Sequence, residues 1–453
     1  MTEKYHLIGI GGIGMSGIAH LLLAKGIAVS GSDIKESAIT KRLSDAGAQI
    51  FIGHKAENIG NATIAVFSSA INPENPEVKE VVRLGIPLIK RAEALTRLMK
   101  DKTVITVAGS HGKTTTTSLV SYMLLEAGLY PTAAIGGILR NISTNACSGE
   151  GRLFVAEADE SDGSFLYYNP DYSIITNIDR EHLDYYDSFD KEIEAFRQFI
   201  ARTEPKGCVF LCSDDDNLKK LARESKIEHL LFGLKDGADI TAKDIRLFGL
   251  SSEFDCHYRK VNIGRFHLAL GGEHNISNAL SVIALGVKLG LDFEVIKKAL
   301  SQYKGAGRRL EIKYESDALM VIDDYAHHPT EIRATLAAIR NLKKKRVIAV
   351  FQPHRFSRTK FLLDEFGGSF TDTDCLILTE IYPASEVPIP DVSGRNIYDL
   401  IKKNHPEKDA HFLIKYEIND HLLKMIKPGD LVVFLGAGDI IKTCDEFVEK
   451  IKS

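Results

Sequence analysis

Short apolar runs recur along the chain, and each stops at a cluster of glycine, acidic or hydroxyl-bearing residues. His6 to Ile10, Ala28 to Ser30 and Thr63 to Phe67 are the first three; Val104 to Val107, Leu153 to Ala156 and Ser173 to Asn177 follow. Leu319 to Ile322, Val347 to Phe351, Cys375 to Thr379 and Leu431 to Leu435 complete the set. Helical spacing shows between them at Ile18, Leu21 and Leu22, at Ala92, Leu95, Leu98 and Met99, at Leu119, Met123 and Leu124, and at Leu280, Ile283, Ala284 and Val287. Such runs predict buried strands, and their alternation with helices predicts an α/β protein with mainly parallel sheets. Open sheets of that kind bind ligands beyond the carboxyl ends of their strands, which is where the polar clusters fall.

At 453 residues the chain exceeds what one core organises, so two or three domains are expected, with a first boundary at the charged break Lys100-Asp101-Lys102. A net charge of −4 gives no global basic footprint, which argues against nucleic acid as a partner. Six scattered cysteines without a CxxC pair read as reduced, mostly buried thiols. No apolar run reaches bilayer length, and the amino terminus enters a strand without the basic region of a signal peptide. The expectation is a cytoplasmic protein without membrane insertion, as a monomer or weak homodimer.

The sharpest chemistry lies in Val104 to Thr117, VITVAGSHGKTTTT, which reads as strand, glycine turn and helix. Gly109, Ser110, His111 and Gly112 form the turn; its inward N–H groups, the helix N-terminus and Lys113 make a polyphosphate cradle. Thr114 stands where a hydroxyl meets the magnesium that bridges two phosphates, and Thr115 follows it. The full Walker spacing is not met, because its first glycine falls on Val107, so the loop is a shortened variant. Further on, Glu157, Asp159, Glu160 and Asp162 crowd one strand end, which calls for a compensating cation. His182 ends the next strand beside them and is a plausible second metal ligand.

A second glycine turn, Gly9 to Gly14, meets the GxGxxG fingerprint, with Gly11, Gly12, Ile13, Gly14, Met15 and Ser16 around the helix start and Asp33 at the distance of a ribose-binding acid. Taken alone it suggests a nicotinamide or flavin nucleotide, although such turns hold other diphosphates too. Ser68 and Ser69 at the end of the next strand could donate to a phosphate or cap a helix. Asn275 and Asn278 share a helical face and could read a base or satisfy backbone. Arg308 and Arg309 lie in a flexible turn suited to bidentate phosphate contact. Arg355 and Arg358, three apart, would project on one side if a helical turn starts there, and could share a carboxylate.

GSHGKTTT, EADESDGSF, TNIDREHLD, GEHNISNA, RRLE, DDYAHHPTEI and QPHRFSR occur in an order that resembles the Mur ligase family over essentially the whole chain. GIGGIGMSGIA and SEVPIPDVSGR favour the member that adds the first amino acid of the peptidoglycan stem. The resemblance implies three domains: a Rossmann-like UDP-sugar domain over 1–100, a central P-loop ATPase domain with a mainly parallel sheet over 101–313, and a Rossmann-like domain over 314–453. The last would close on ATP and receive the amino acid. It also implies UDP-N-acetylmuramate and L-alanine as substrates and ATP with Mg2+ as cofactors, through an acyl phosphate.

By the same resemblance, Lys113 and Thr114 serve phosphate and magnesium, and Glu157 and His182 ligate metal. Asn275 and Asn278 belong to the nucleotide segment, while Arg309 and Asp324 reach the ATP phosphates and ribose. Tyr325, His327, His354, Arg355 and Arg358 handle the amino acid and acyl group, and the residues Gly11 to Ser16 with Asp33, Ser68 and Ser69 take the UDP-sugar. Several related ligases carry a carbamylated lysine about fifteen residues after the His182 position. Here that stretch, Phe196-Arg197-Gln198-Phe199, has no lysine, so carbamylation is not expected. The alternatives are a recycling ligase that joins a tripeptide to the same sugar nucleotide, and a nicotinamide-dependent oxidoreductase. A non-catalytic nucleotide-binding scaffold is a third. The oxidoreductase leaves Gly109 to Thr116 unexplained, and the scaffold has no need of the acid and histidine sets.

Overall fold

The computed structural model describes residues 3–68 and 71–452. The first sheet is parallel throughout, in the order Gln49–Ile52, Ala28–Asp33, Lys4–Ile8, Ile64–Phe67, Leu88–Lys90. The direction of winding reverses at Lys4–Ile8. The glycine turn that follows this strand therefore opens at the switch point, the crevice where such sheets bind ligands. The strand ends two residues before the predicted Ile10, because Gly9 takes a φ of +80° and turns the chain.

The second sheet has ten strands. Its parallel centre runs His229–Gly233, Cys208–Cys212, Tyr172–Ile175, Thr103–Ala108, Leu153–Glu157, Thr132–Leu139. Thr103–Ala108 is flanked by the two strands whose ends carry the acid and histidine sets, with Val107 opposite Glu157 and Ala108 opposite Ile175. That register, invisible in the sequence, brings the predicted chemistry together. The helix behind the turn, Lys113–Glu126, is buried from Thr114 to Leu124 on all sides, so it shows no apolar stripe. Its buried hydroxyls at Ser118 and Ser121 donate to the carbonyls of Thr114 and Thr117 one turn back.

The third sheet runs Glu311–Glu315, Leu319–Asp324, Asp430–Leu435, Arg346–Phe351, Cys375–Leu378, Asp409–Phe412, antiparallel only at its first pair. Asp324 and Phe351 both lie opposite Leu435. The DYAHH, QPHR and GAG segments consequently leave the sheet side by side at its carboxyl edge.

By internal contacts the chain forms two compact units, Met1–Lys243 with Asp255–Phe266 and Ser277–Ala306, and Asp244–Phe254 with His267–Ile276 and Gly307–Ser453. The first holds the glycine turn and the P-loop, the second the third sheet. All six cysteines are free thiols, five of them buried. No helix among the described residues is long and apolar enough to cross a membrane.

Candidate functional site

The P-loop is strapped to its neighbouring strand end. Ser110 N–H donates to the Asn177 carbonyl and His111 N–H to Asn177 Oδ1, while Thr176 Oγ1 and Asn177 Nδ2 donate to the His111 carbonyl. The His111 ring lies 2.9 Å from Asp179 Oδ2. Gly109, at φ +123°, allows this approach: a Cβ there would lie 2.2 Å from Thr176 Oγ1. Lys113 Nζ sits in the loop, donating to the carbonyls of Gly109 at 2.7 Å and Ser110 at 3.2 Å and to Glu160 Oε1 at 2.8 Å. Burial alone would lower its pKa; Glu160 first, then Asp159 and Glu157, outweigh burial and hold the ammonium above the usual lysine range.

Thr114 Oγ1 donates to Glu157 Oε2 at 2.9 Å, and the same carboxylate oxygen accepts from Gly136 N–H at 3.1 Å. A hydroxyl and a carboxylate this close are hard oxygen donors that fit magnesium. His182 is placed otherwise: its Nε2 lies 3.4 Å from Glu160 Oε1 and 3.7 Å from Glu181 Oε2. Burial would lower its pKa, but Glu181 and Glu160 raise it overall. His182 thus joins the acid set through Glu160, the carboxylate that also pairs Lys113. Arg197 is half-buried and paired with Glu224 and Glu194, with Phe196 and Phe199 in the core.

In the first domain, Gly11 N–H donates to Asp33 Oδ2 at 2.9 Å and Ile34 N–H to Asp33 Oδ1 at 2.8 Å, so Asp33 staples the glycine turn. Met15 and Ser16 are buried, and the Ser16 hydroxyl donates to the Ile13 carbonyl. Asn145, from strand Thr144–Cys147, donates to that carbonyl at 2.6 Å and to Ser16 Oγ at 3.2 Å. These two side chains are therefore turned into the protein, while Gly12 and Gly14 offer backbone. Arg91, which the sequence presents as the polar start of a helix, lies against Gly14: a Cβ there would be 2.5 Å from its Nη1. Ser68 follows the strand Ile64–Phe67, and Ser69 lies outside the described residues.

Asn275 and Asn278 are both buried on the helix Glu273–Lys288. Asn275 Nδ2 donates to the Gly271 carbonyl at 2.8 Å, and a Cβ on Gly112 would lie 2.7 Å from Asn278 Oδ1, so Asn278 sits directly on the P-loop.

In the second unit, Asp324 accepts from Leu310 N–H through Oδ2 and from Ala326 N–H and Thr335 Oγ1 through Oδ1. Arg308 is spent on the fold, donating to Asp323 Oδ2 at 3.0 Å and to the Gly436 carbonyl at 2.6 Å. Arg309 lies over the Tyr325 ring at 5.1 Å, with Glu331 3.7 Å away. The rings of Tyr325, His327 and His354 follow one another at 5.4 Å spacings, and His354 stacks on Tyr382, which lies beyond the carboxyl end of the strand Cys375–Leu378. The helix here is Phe356–Phe361, so Arg355, at φ +71°, lies outside it and does not share a helical face with Arg358. Arg358 Nη1 instead folds back to the His354 carbonyl at 3.1 Å.

Asp323 is fully buried, and burial pushes its carboxyl up to about 6 against the pull of Arg308. With the folded value raised, its stabilising contribution is complete below the ordinary carboxylate range and is lost as pH rises through about 6. Asp323→Asn is expected to gain unfolding free energy relative to wild type as pH goes from about 4 to about 7, by at most about 3 kcal/mol, measured by denaturant unfolding across that range. A difference that stays flat with pH contradicts this reading.

A glycine turn at the switch point of one sheet and a P-loop ringed by acids on another define a nucleotide-binding α/β protein. Family models match in series: Mur ligase family, catalytic domain, over residues 4–103; Mur ligase middle domain over 107–286; Mur ligase, glutamate ligase domain, over 308–438. The chain belongs to the Mur ligase family. It is 46% identical over 451 residues to the UDP-N-acetylmuramate–L-alanine ligase of Geotalea uraniireducens, covering 99% of this chain and 98% of the relative. The enzyme of that name from Aquifex aeolicus is 44% identical over 452 residues, covering 99% and 98%. Among solved structures, the UDP-N-acetylmuramate–alanine ligase of Thermotoga maritima superposes with a TM-score of 0.85 at 30% identity, covering 99% of both chains. A murein peptide ligase from Psychrobacter arcticus shares the fold at 0.74 and 23% identity, over 99% of this chain and 98% of its own.

Proposed function

We propose that this protein is an ATP-dependent amide ligase that joins L-alanine to UDP-N-acetylmuramate in peptidoglycan precursor synthesis. The observation that carries the reading is 44–46% identity along nearly the full length of relatives bearing that name. ATP phosphorylates the sugar nucleotide's carboxylate, and the alanine amine attacks the acyl phosphate with loss of phosphate. Two anions meet in the first step. Lys113 offsets their repulsion by exchanging a loop carbonyl for a phosphate oxygen and stabilises charge on the transferring group. Thr114 and Glu157 are the residues that would hold Mg2+, which when bound screens the phosphates. His182 and Lys113 both face the same oxygen of Glu160, Oε1, so the histidine helps to hold the carboxylate that pairs the lysine.

Residues 1–100 take the UDP-sugar, 101–313 the ATP and 314–453 the amino acid in this proposal. Tyr325, His327, His354 and Arg358 form the amino-acid cluster, with Arg309 a phosphate-binding guanidinium. Gly14→Val is expected to raise the Michaelis constant for the sugar nucleotide by about tenfold or more and leave that for ATP nearly unchanged, because the new Cβ displaces Arg91 from the turn. Equal shifts in both constants would place the defect in folding instead. The function itself is tested by phosphate release from ATP, expected only when UDP-N-acetylmuramate and L-alanine are both present. Release that needs a tripeptide in place of alanine would identify the recycling activity.

A further inference from the structure

Arg91 opens the helix Arg91–Met99, and its guanidinium makes two associations that no sequence pattern joins. On one side it packs on Gly14, at the point where the glycine turn becomes the helix Ile13–Ala24. A Cβ on Gly14 would lie 2.5 Å from Nη1 and 3.1 Å from Cδ, so any larger residue there pushes the guanidinium away from the turn. On the other side Nη2 donates to Asp159 Oδ2 at 3.0 Å. That is the only hydrogen bond its guanidinium makes among the described residues. A guanidinium carries five donors in a planar fork, so Nη1 and Nε remain for an anion at the turn.

We propose that Arg91 is the diphosphate-binding guanidinium of the first domain and that Asp159 is its positioning residue. The inference rests on the sugar-nucleotide reading above and assigns a residue to it. An N-terminal helix turn offers only partial charges to a diphosphate; a guanidinium laid along Gly14 adds a full one and a fork of matching geometry. Asp159 fixes the plane of that fork. Because Asp159 also faces Lys113, one chain of charge runs from the glycine turn to the P-loop within the same compact unit.

Equilibrium binding of uridine diphosphate and of uridine to the full-length protein tests this. Arg91→Gln is expected to weaken uridine diphosphate by about ten- to a hundredfold, to flatten its salt dependence, and to leave uridine and an ATP analogue unchanged. Arg91→Lys, which keeps the pair with Asp159 and so guards against misfolding, is expected to show a smaller loss in the same direction. Asp159→Asn is expected to weaken uridine diphosphate selectively as well. Equal loss of uridine and its diphosphate in Arg91→Gln and Arg91→Lys, or no loss in either, overturns the assignment. Wild-type protein that binds no uridine diphosphate overturns the sugar-nucleotide reading itself.

Discussion

Lys113→Ala is expected to lower turnover by at least about a hundredfold while leaving sugar-nucleotide affinity nearly intact, the scale of removing one preorganised electrostatic stabiliser. The ammonium is held in the loop before any substrate arrives, by two loop carbonyls and Glu160, so only one of these contacts has to be exchanged for a phosphate oxygen. Its charge is secure at any working pH, since Glu160, Asp159 and Glu157 hold it above the normal lysine range despite burial. The alanine variant leaves Glu160 facing His182 alone and takes the cation from the loop. Steady-state kinetics with separately measured uridine nucleotide binding checks it. Turnover within a few-fold of wild type would mean that the loop does not cradle the transferring phosphate.

Glu157→Gln is expected to move the magnesium dependence of the rate to concentrations at least about tenfold higher, the size of effect seen when support for a metal ligand is lost. Glutamine keeps an acceptor for Thr114 Oγ1 and for Gly136 N–H, so the strand end should hold its shape. What it removes is the full negative charge beside the hydroxyl, and a hard divalent cation needs that charge. A titration of initial rate against magnesium decides the matter. An unchanged half-saturating concentration would transfer the metal to other acids of the set.

Much of this arrangement can be read from residue order, for physical reasons specific to each segment. The strand–turn–helix at Val104 to Thr117 is legible because a β-branched run, two glycines and a lysine each constrain the backbone or its charge locally. The acid set converges because its strand is the immediate neighbour of the P-loop strand. Arg91 escaped notice because its partner Asp159 is 68 residues away and its neighbours spell an ordinary amphipathic helix. Ser16 looked available for a ligand, but a hydroxyl on a helix's first turn can as easily turn inward, and Ile13 and Asn145 take it. The strand Ser251–Tyr258 passed unread although Ser252, Phe254 and Cys256 alternate into the interior, a period-two signal diluted by polar neighbours. Arg355 and Arg358 depended on a helix boundary, the least certain feature of any sequence reading, and the helix starts one residue later.

The central claim is that ATP activates the sugar nucleotide's carboxylate before the amine attacks. UDP-N-acetylmuramate carrying a heavy oxygen isotope in that carboxylate, incubated with the wild-type protein, ATP, magnesium and L-alanine, tests it most directly. The account predicts that one labelled oxygen leaves with each released phosphate, because the carboxylate oxygen that accepts the phosphoryl group departs with it. Phosphate that is released in step with amide formation yet carries no label would contradict the account.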